Sequence, residues 1–153
     1  MSRPPFVIVP AVPGDAAEVA TLHVAATGKT RFDNPTALTE AELRSWFTHH
    51  LGSPAGAWWV ARDDHRILGY MVVRDTTLDH LYVRPDVQHR GVGRALLDAA
   101  KRLSPRRLEL FVGPRNVNAQ RFYRRHGFRA AGESAGPPDV PLPGLRYVWH
   151  PPG

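Results

Sequence analysis

Residues 81–94 read Leu81-Tyr82-Val83-Arg84-Pro85-Asp86-Val87-Gln88-His89-Arg90-Gly91-Val92-Gly93-Arg94. An apolar strand end stops at a proline, a short polar turn follows, and two glycines open an amphipathic helix. Val92, Ala95, Leu96, Ala99 and Leu103 recur at helical spacing, with Arg94, Asp98, Lys101 and Arg102 on the other face. A helix that begins on glycines exposes orphan backbone N–H groups at the positive end of its dipole, and such an end holds phosphates. Cβ atoms at Gly91 or Gly93 would stand between a ligand and the backbone, and glycine tolerates positive φ at little cost. Arg90 and Arg94 flank the turn and can add charge-assisted bonds to phosphate oxygens. The spacing is neither GxGxxG nor a P-loop, and glycine spacing alone is equally compatible with an ordinary compact turn.

A second segment, Asn116-Val117-Asn118-Ala119-Gln120-Arg121-Phe122-Tyr123-Arg124-Arg125-His126-Gly127-Phe128, reads as a helix with Asn116 as N-cap and Gly127 just past its end. Together the two segments resemble the GCN5-related N-acetyltransferases, the GNAT family. The first carries the Gln/Arg-x-x-Gly-x-Gly/Ala pattern as Gln88-His89-Arg90-Gly91-Val92-Gly93. The second carries Asn-x-x-Ala-x-x-Phe-Tyr-x-x-x-Gly-Phe at Asn116, Ala119, Phe122, Tyr123, Gly127 and Phe128. The close match covers residues 76–128; the rest agrees in element order. The resemblance implies acetyl-coenzyme A as cosubstrate. Its pyrophosphate would lie on the N–H groups of about His89–Arg94, within a contact set that takes in Gln88, Arg90, Gly91, Val92, Gly93 and Asn116.

The remaining elements follow from pattern. Phe6–Val9 reads as a strand. Asp15-x-x-Glu18 and Thr39-x-x-Glu42 are capping-box patterns that open helices to about Ala26 and Leu51. Thr27–Leu38 between them is a polar loop. Trp58–Arg62 and Ile67–Arg74 read as strands paired around Asp63-Asp64-His65. Thr76–Val83, Leu108–Val112, a strand starting near Phe128, and Leu145–Trp149 complete the set. Residues 132–144, rich in Gly and Pro, read as a loop. This predicts one α/β, or layered α+β, domain over residues 1–153. The resemblance implies a central mixed, mostly antiparallel sheet flanked by helices.

The strand at 76–83 has a slip in its alternation. Leu81 and Val83 are in phase, Leu78 is not, and the break falls near Asp79-His80. A β-bulge there, or a strand end buried on both faces, gives the same pattern. The GNAT resemblance favours a bulge that splays this strand from its neighbour. The cofactor's pantetheine would enter the gap and meet the backbone of Leu81-Tyr82-Val83.

The implied chemistry is acyl transfer from the thioester to a primary amine. Tyr123 matches the family tyrosine that protonates the leaving thiolate; as a residue of an amphipathic helix it also suits the core. For the base, the position of a family glutamate falls at Phe111, and Glu109 lies two residues earlier on the same face. Asp79 and His80 are the better candidates, histidine having the more suitable ordinary pKa. The alternative function is a non-catalytic acyl-coenzyme-A-binding sensor or interaction domain, which would need neither Tyr123 nor a base.

Composition narrows the rest. The chain has no cysteine, so disulfides and thiolate-bound metals are excluded, and its eight histidines show no metal-ligand spacing; no metal is expected. The net charge of +6 is almost entirely arginine, with Lys29 and Lys101 the only lysines. It is spread without a zinc-finger, RNP or basic-helix pattern, so a solvated basic surface is expected and nucleic acid is not. No apolar run approaches the ~20 residues of a membrane span, and Met1-Ser2-Arg3-Pro4-Pro5 has no apolar stretch behind it. The expectation is a cytoplasmic monomer or homodimer acting on an amine-bearing small molecule, peptide or protein.

Overall fold

In a computed structural model of the chain, described over residues 6–27, 38–51, 57–88, 90–114, 116–134 and 144–152, the elements run β1 (Val7–Pro10), α1 (Ala16–Ala26), α2 (Glu40–His50), β2 (Ala57–Arg62), β3 (Ile67–Arg74), β4 (Thr77–Val83), α3 (Val92–Leu103), β5 (Leu108–Val112), α4 (Val117–Arg125), β6 (Arg129–Ser134) and β7 (Gly144–Trp149). The strands form one seven-stranded sheet in the order β1-β2-β3-β4-β5-β7-β6. Every neighbouring pair is antiparallel except β4 and β5. The mixed sheet flanked by helices is the architecture expected.

Apolar side chains fill both faces of the sheet. On one face α1 and α2 bring Val19, Leu22, Leu43 and Phe47 against Val60, Tyr70 and Val72. On the other, α3 and α4 bring Val92, Leu96, Leu97 and Tyr123 against Met71, Leu78, Leu110 and Tyr147. The buried side of α3 includes Leu97 and Ala100, while Leu103, expected on it, is 43% exposed. A helix lying on a sheet buries a broad stripe, and here that stripe is turned toward Leu97.

Local signals account for most of the boundaries. Glu42 N–H donates to Thr39 Oγ1, and Thr39 N–H to Glu42 Oε1, each at 3.2 Å, so the second capping box forms as read. The first does not. Asp15 ends a 3₁₀ turn, and its carboxylate accepts from Val12 N–H at 2.9 Å and from Arg62 at 3.0 Å. Glu18 instead accepts from the N–H of Ile67 at 2.5 Å. A long-range partner for each acid outweighs the local box. A second correction concerns residues 132–144: β6 continues to Ser134 through an irregular register around Gly132, at φ 102°, and Gly144 already belongs to β7. Residues 28–37 and 135–143 of the two expected loops lie outside the described residues.

Gly127 closes α4 at φ 92°, where a Cβ would also meet Trp149 Cδ1 at 3.3 Å. Lys101 locks the same corner, donating to the His126 carbonyl at 2.7 Å with its ammonium 4.9 Å from the Trp149 ring. Gly127→Ala is expected to lower stability by about 1–2 kcal/mol, the cost of a left-handed L-residue. Gly113→Ala, which meets nothing within 4 Å, should be nearly neutral. Urea unfolding of the two variants beside the parent checks this.

Candidate active site

The pairing of β3 with β4 matches Val72 to His80 and Val73 to Leu78, leaving Asp79 as an extra residue. This is the bulge that the broken alternation suggested, and it reverses the strand's parity. Before it, the Thr76 carbonyl accepts from Glu109 N–H of β5 at 2.8 Å. After it, Arg84 N–H donates to the Leu68 carbonyl on the β3 side at 2.8 Å. Successive residues point their backbone groups to opposite edges, so the N–H and C=O of Leu81 and Val83 face β5. They find no ladder there. Thr77 opposite Glu109 is the pair that joins β4 to β5, and beyond it the strands part.

The α3 N-terminus lies beside this gap. Gly91 is the N-cap, left-handed at φ 82°, with no side-chain cap, and a Cβ built on it would meet nothing within 4 Å. Arg90, Arg94 and Gln88 are exposed, Arg94 only 3.9 Å from Asp98; Val92 is buried. His89 lies outside the described residues. At Gly93 a Cβ would rest 3.5 Å from Phe122 and 3.7 Å from Val83, so the end of β4, the start of α3 and the body of α4 converge on one glycine. Arg84 fixes the chain just before the turn, donating from Nε to the Ile67 carbonyl at 2.5 Å and lying 3.4 Å from Glu18.

The side chains proposed for chemistry separate by face. Tyr123 is 9% exposed and packs on Phe128 at 5.5 Å. Burial raises its phenol well above the usual range, and the neighbouring Tyr82 phenol adds to the rise. Asn116 Oδ1 caps α4 by accepting from Ala119 N–H at 3.2 Å. Asp79, on the bulge, is held by both Nε and Nη2 of Arg74 at 3.0 and 3.3 Å. Glu109 Oε2 takes Arg107 and Arg146, each at 2.7 Å. His80 points to the opposite face among His23, Trp46, Trp58, Tyr70 and Tyr82, at 6.0–6.3 Å between ring centres. Burial pushes it down to about 4. Nothing in the spacing marked this ring of aromatics; Trp58, Tyr70 and Tyr82 read only as strand residues.

A description of the acetyltransferase (GNAT) domain matches residues 54–130, half of the chain. The chain belongs to the GNAT acetyltransferase family. It is 34% identical to the peptidyl-lysine N-acetyltransferase YjaB of Salmonella typhimurium over 95 residues, 61% of this chain and 63% of that relative. The solution structure of apo YjaB from Escherichia coli superposes with a TM-score of 0.75 at 25% identity, covering 94% of this chain and 97% of that one. A PaiA N-acetyltransferase from Thermoplasma acidophilum, solved with coenzyme A, shares the fold at a TM-score of 0.72 and 15% identity, over 99% of this chain and all of that one. Among the described residues no group of side chains is placed to hold a metal, and no helix is long and apolar enough to cross a membrane.

A neutral His80 ties stability to pH. The folded protein binds this proton less readily than the unfolded chain, whose histidine titrates at about 6.5. The contribution is therefore complete above that pH and is lost as pH falls through it toward 4. His80→Phe keeps a buried ring without the proton. Between pH 7 and pH 4 the parent should lose on the order of 2–3 kcal/mol more than the variant, read from urea midpoints at several pH values.

Proposed function

We propose that this chain transfers the acetyl group of acetyl-coenzyme A directly to a primary amine, with a lysine side chain as the acceptor class. The observation that carries the reading is the parting of β4 and β5, which aims the backbone groups of Leu81 and Val83 into a gap beside the uncapped start of α3. The cosubstrate supplies an activated thioester, and the residues present suit it. Open N–H groups around Gly91 suit a pyrophosphate, with Arg90 and Arg94 beside them. The free strand edge suits the amides of a pantetheine arm. Asn116 lies at the start of α4 on the same side. The names of the YjaB relatives support the lysine acceptor.

On this reading the amine lone pair attacks the thioester carbonyl, the carbon–sulfur bond breaks, and the sulfur leaves with its electron pair. Tyr123 gives that sulfur a proton. Its raised pKa keeps the phenol protonated across the working range. An amine that arrives as an ammonium first gives one proton to His80, which frees its lone pair, and after attack the nitrogen gives a second to Tyr123 in place of the one passed to sulfur. His80 is the base we favour over Asp79, because Arg74 already holds the Asp79 carboxylate, whereas His80 is neutral above about pH 4 and keeps a ring nitrogen without a partner. Glu109 is occupied by two arginines.

Three measurements test the assignment. Gly91→Glu puts a carboxylate where phosphate would lie, and calorimetry should show acetyl-coenzyme A binding lost in a folded variant. Tyr123→Phe should keep that affinity while kcat falls by about 10²–10⁴-fold. An unchanged kcat returns Tyr123 to packing. The acidic limb of kcat/KM should lie near pH 4 rather than near the ordinary histidine value. A limb that instead follows the acceptor's own pKa, and survives His80→Gln, removes His80 as the base. Binding without turnover on any amine would leave a cofactor-binding domain in place of an enzyme.

A further inference from the structure

Nδ1 of His80 is buried without a hydrogen-bond partner, the one such side-chain atom among the described residues. An orphaned buried polar atom is costly and uncommon in a native fold. Two of the polar groups nearest to it are already paired. His23 Nδ1 and the Tyr70 hydroxyl bond each other at 2.7 Å, which leaves the His80 nitrogen as the buried atom of the cluster without a partner. The bulge at Asp79 is what turns it there: one residue fewer in β4 and His80 would face α3.

The walls around this ring come from separate elements. Trp46 rises from α2, Trp58 from β2 and Tyr82 from β4, all half-buried, over a floor of Tyr70 and Phe47. The acids on the same elements are engaged elsewhere. Glu18 takes Ile67 N–H, Glu40 accepts from Thr21 at 2.8 Å, Glu42 caps α2, and Asp79 holds Arg74. A cation arriving here therefore meets π faces rather than a carboxylate. Aromatic faces attract alkylammonium groups, and flat apolar walls suit a methylene stem that ends in a charge.

We propose that Trp46, Trp58 and Tyr82 form the acceptor-recognition wall, that the free nitrogen of His80 receives an N–H of the acceptor's amine, and that the wall selects an amine on a long aliphatic stem. A lysine ε-amine meets this description. A peptide α-amine, with no stem, does not, nor does a free amino acid whose carboxylate would enter an apolar site. This rests on the acetyltransferase reading above and adds to it the residues that choose between amines.

The chain's four tryptophans allow the binding step to be read without turnover. Trp46 and Trp58 belong to the cluster, whereas Trp59 and Trp149 pack on the core under α3. Titration with Nα-acetyl-lysine methylamide should move the indole N–H resonances of Trp46 and Trp58 and leave those of Trp59 and Trp149 in place. No movement at Trp46 and Trp58, or equal movement at all four, overturns the proposal. In turnover, a peptide with a free N-terminus and one lysine should be acetylated at the ε-amine. Trp46→Leu and Trp58→Leu stay apolar, at smaller volume, and remove a π face. Each should raise KM for the blocked lysine about tenfold, with affinity for acetyl-coenzyme A unchanged by calorimetry. Unchanged KM in both folded variants would also overturn it. If the indoles respond but no amine is acetylated, the wall stands and the enzymatic reading fails. If acetylation occurs with no preference for the ε-amine, the enzyme stands and the wall fails.

Discussion

One extra residue in β4 organises the functional half of this molecule. With Asp79 left out of the β3–β4 register, the strand changes parity in both of its alternations. Backbone groups that would have continued a ladder to β5 are handed on from Thr76 to Leu81 and Val83. Leu81 and Val83 join Leu78 in the core under α3, and His80 and Tyr82 are sent to the face under α1 and α2. A regular strand would place neither set where it is, because a slip of one residue moves every side chain to the other face.

The helices are held to this strand by contacts that leave little latitude. Gly69 of β3 lets α3 come close: a Cβ there would lie 2.9 Å from the Tyr82 carbonyl and 3.0 Å from Leu96. Arg84 joins the end of β4 to the start of β3 and to α1 through Glu18. Gly93 brings Val83 and Phe122 together. The two sequence motifs are thus not independent signatures. The glycine turn and the Asn116 helix share one packing point, and each sets the other's position.

The element order and both glycine-bounded helices were legible because each rests on local chemistry, spacing and caps; broken alternation alone left the bulge level with a strand end buried on both faces, and the family resemblance favoured it. The fate of the acids was not. Asp15 and Glu18 carry a capping-box pattern, yet their partners, Arg62, Ile67 and Arg84, lie far along the chain. Glu109 shows no sign in sequence of its two arginines, one of which is contributed by β7. The aromatic ring around His80 was hidden for the same reason. Trp46, Trp58, Tyr70 and Tyr82 come from four elements, and only the completed sheet and the crossing of α2 over it bring them together. Local pattern names what a residue can do; its neighbours through space decide which use prevails.

The single pair between β4 and β5 has a mechanical consequence. The sheet is two leaves, β1–β4 and β5–β7–β6, joined in backbone terms at Thr77 and Glu109, where Glu109 is also gripped by Arg107 and Arg146. A continuous ladder resists shear along its whole length, whereas a sheet hinged at one pair resists it at a point and relies on the helices lying across the seam for the rest. α3 packs on the β1–β4 leaf and meets α4 at Gly93 and Phe122, while α4 packs on Tyr147 of β7, so the two helices together serve as the tie-bars of the molecule. Any group wedged between the leaves would act on their angle as much as on its own contacts.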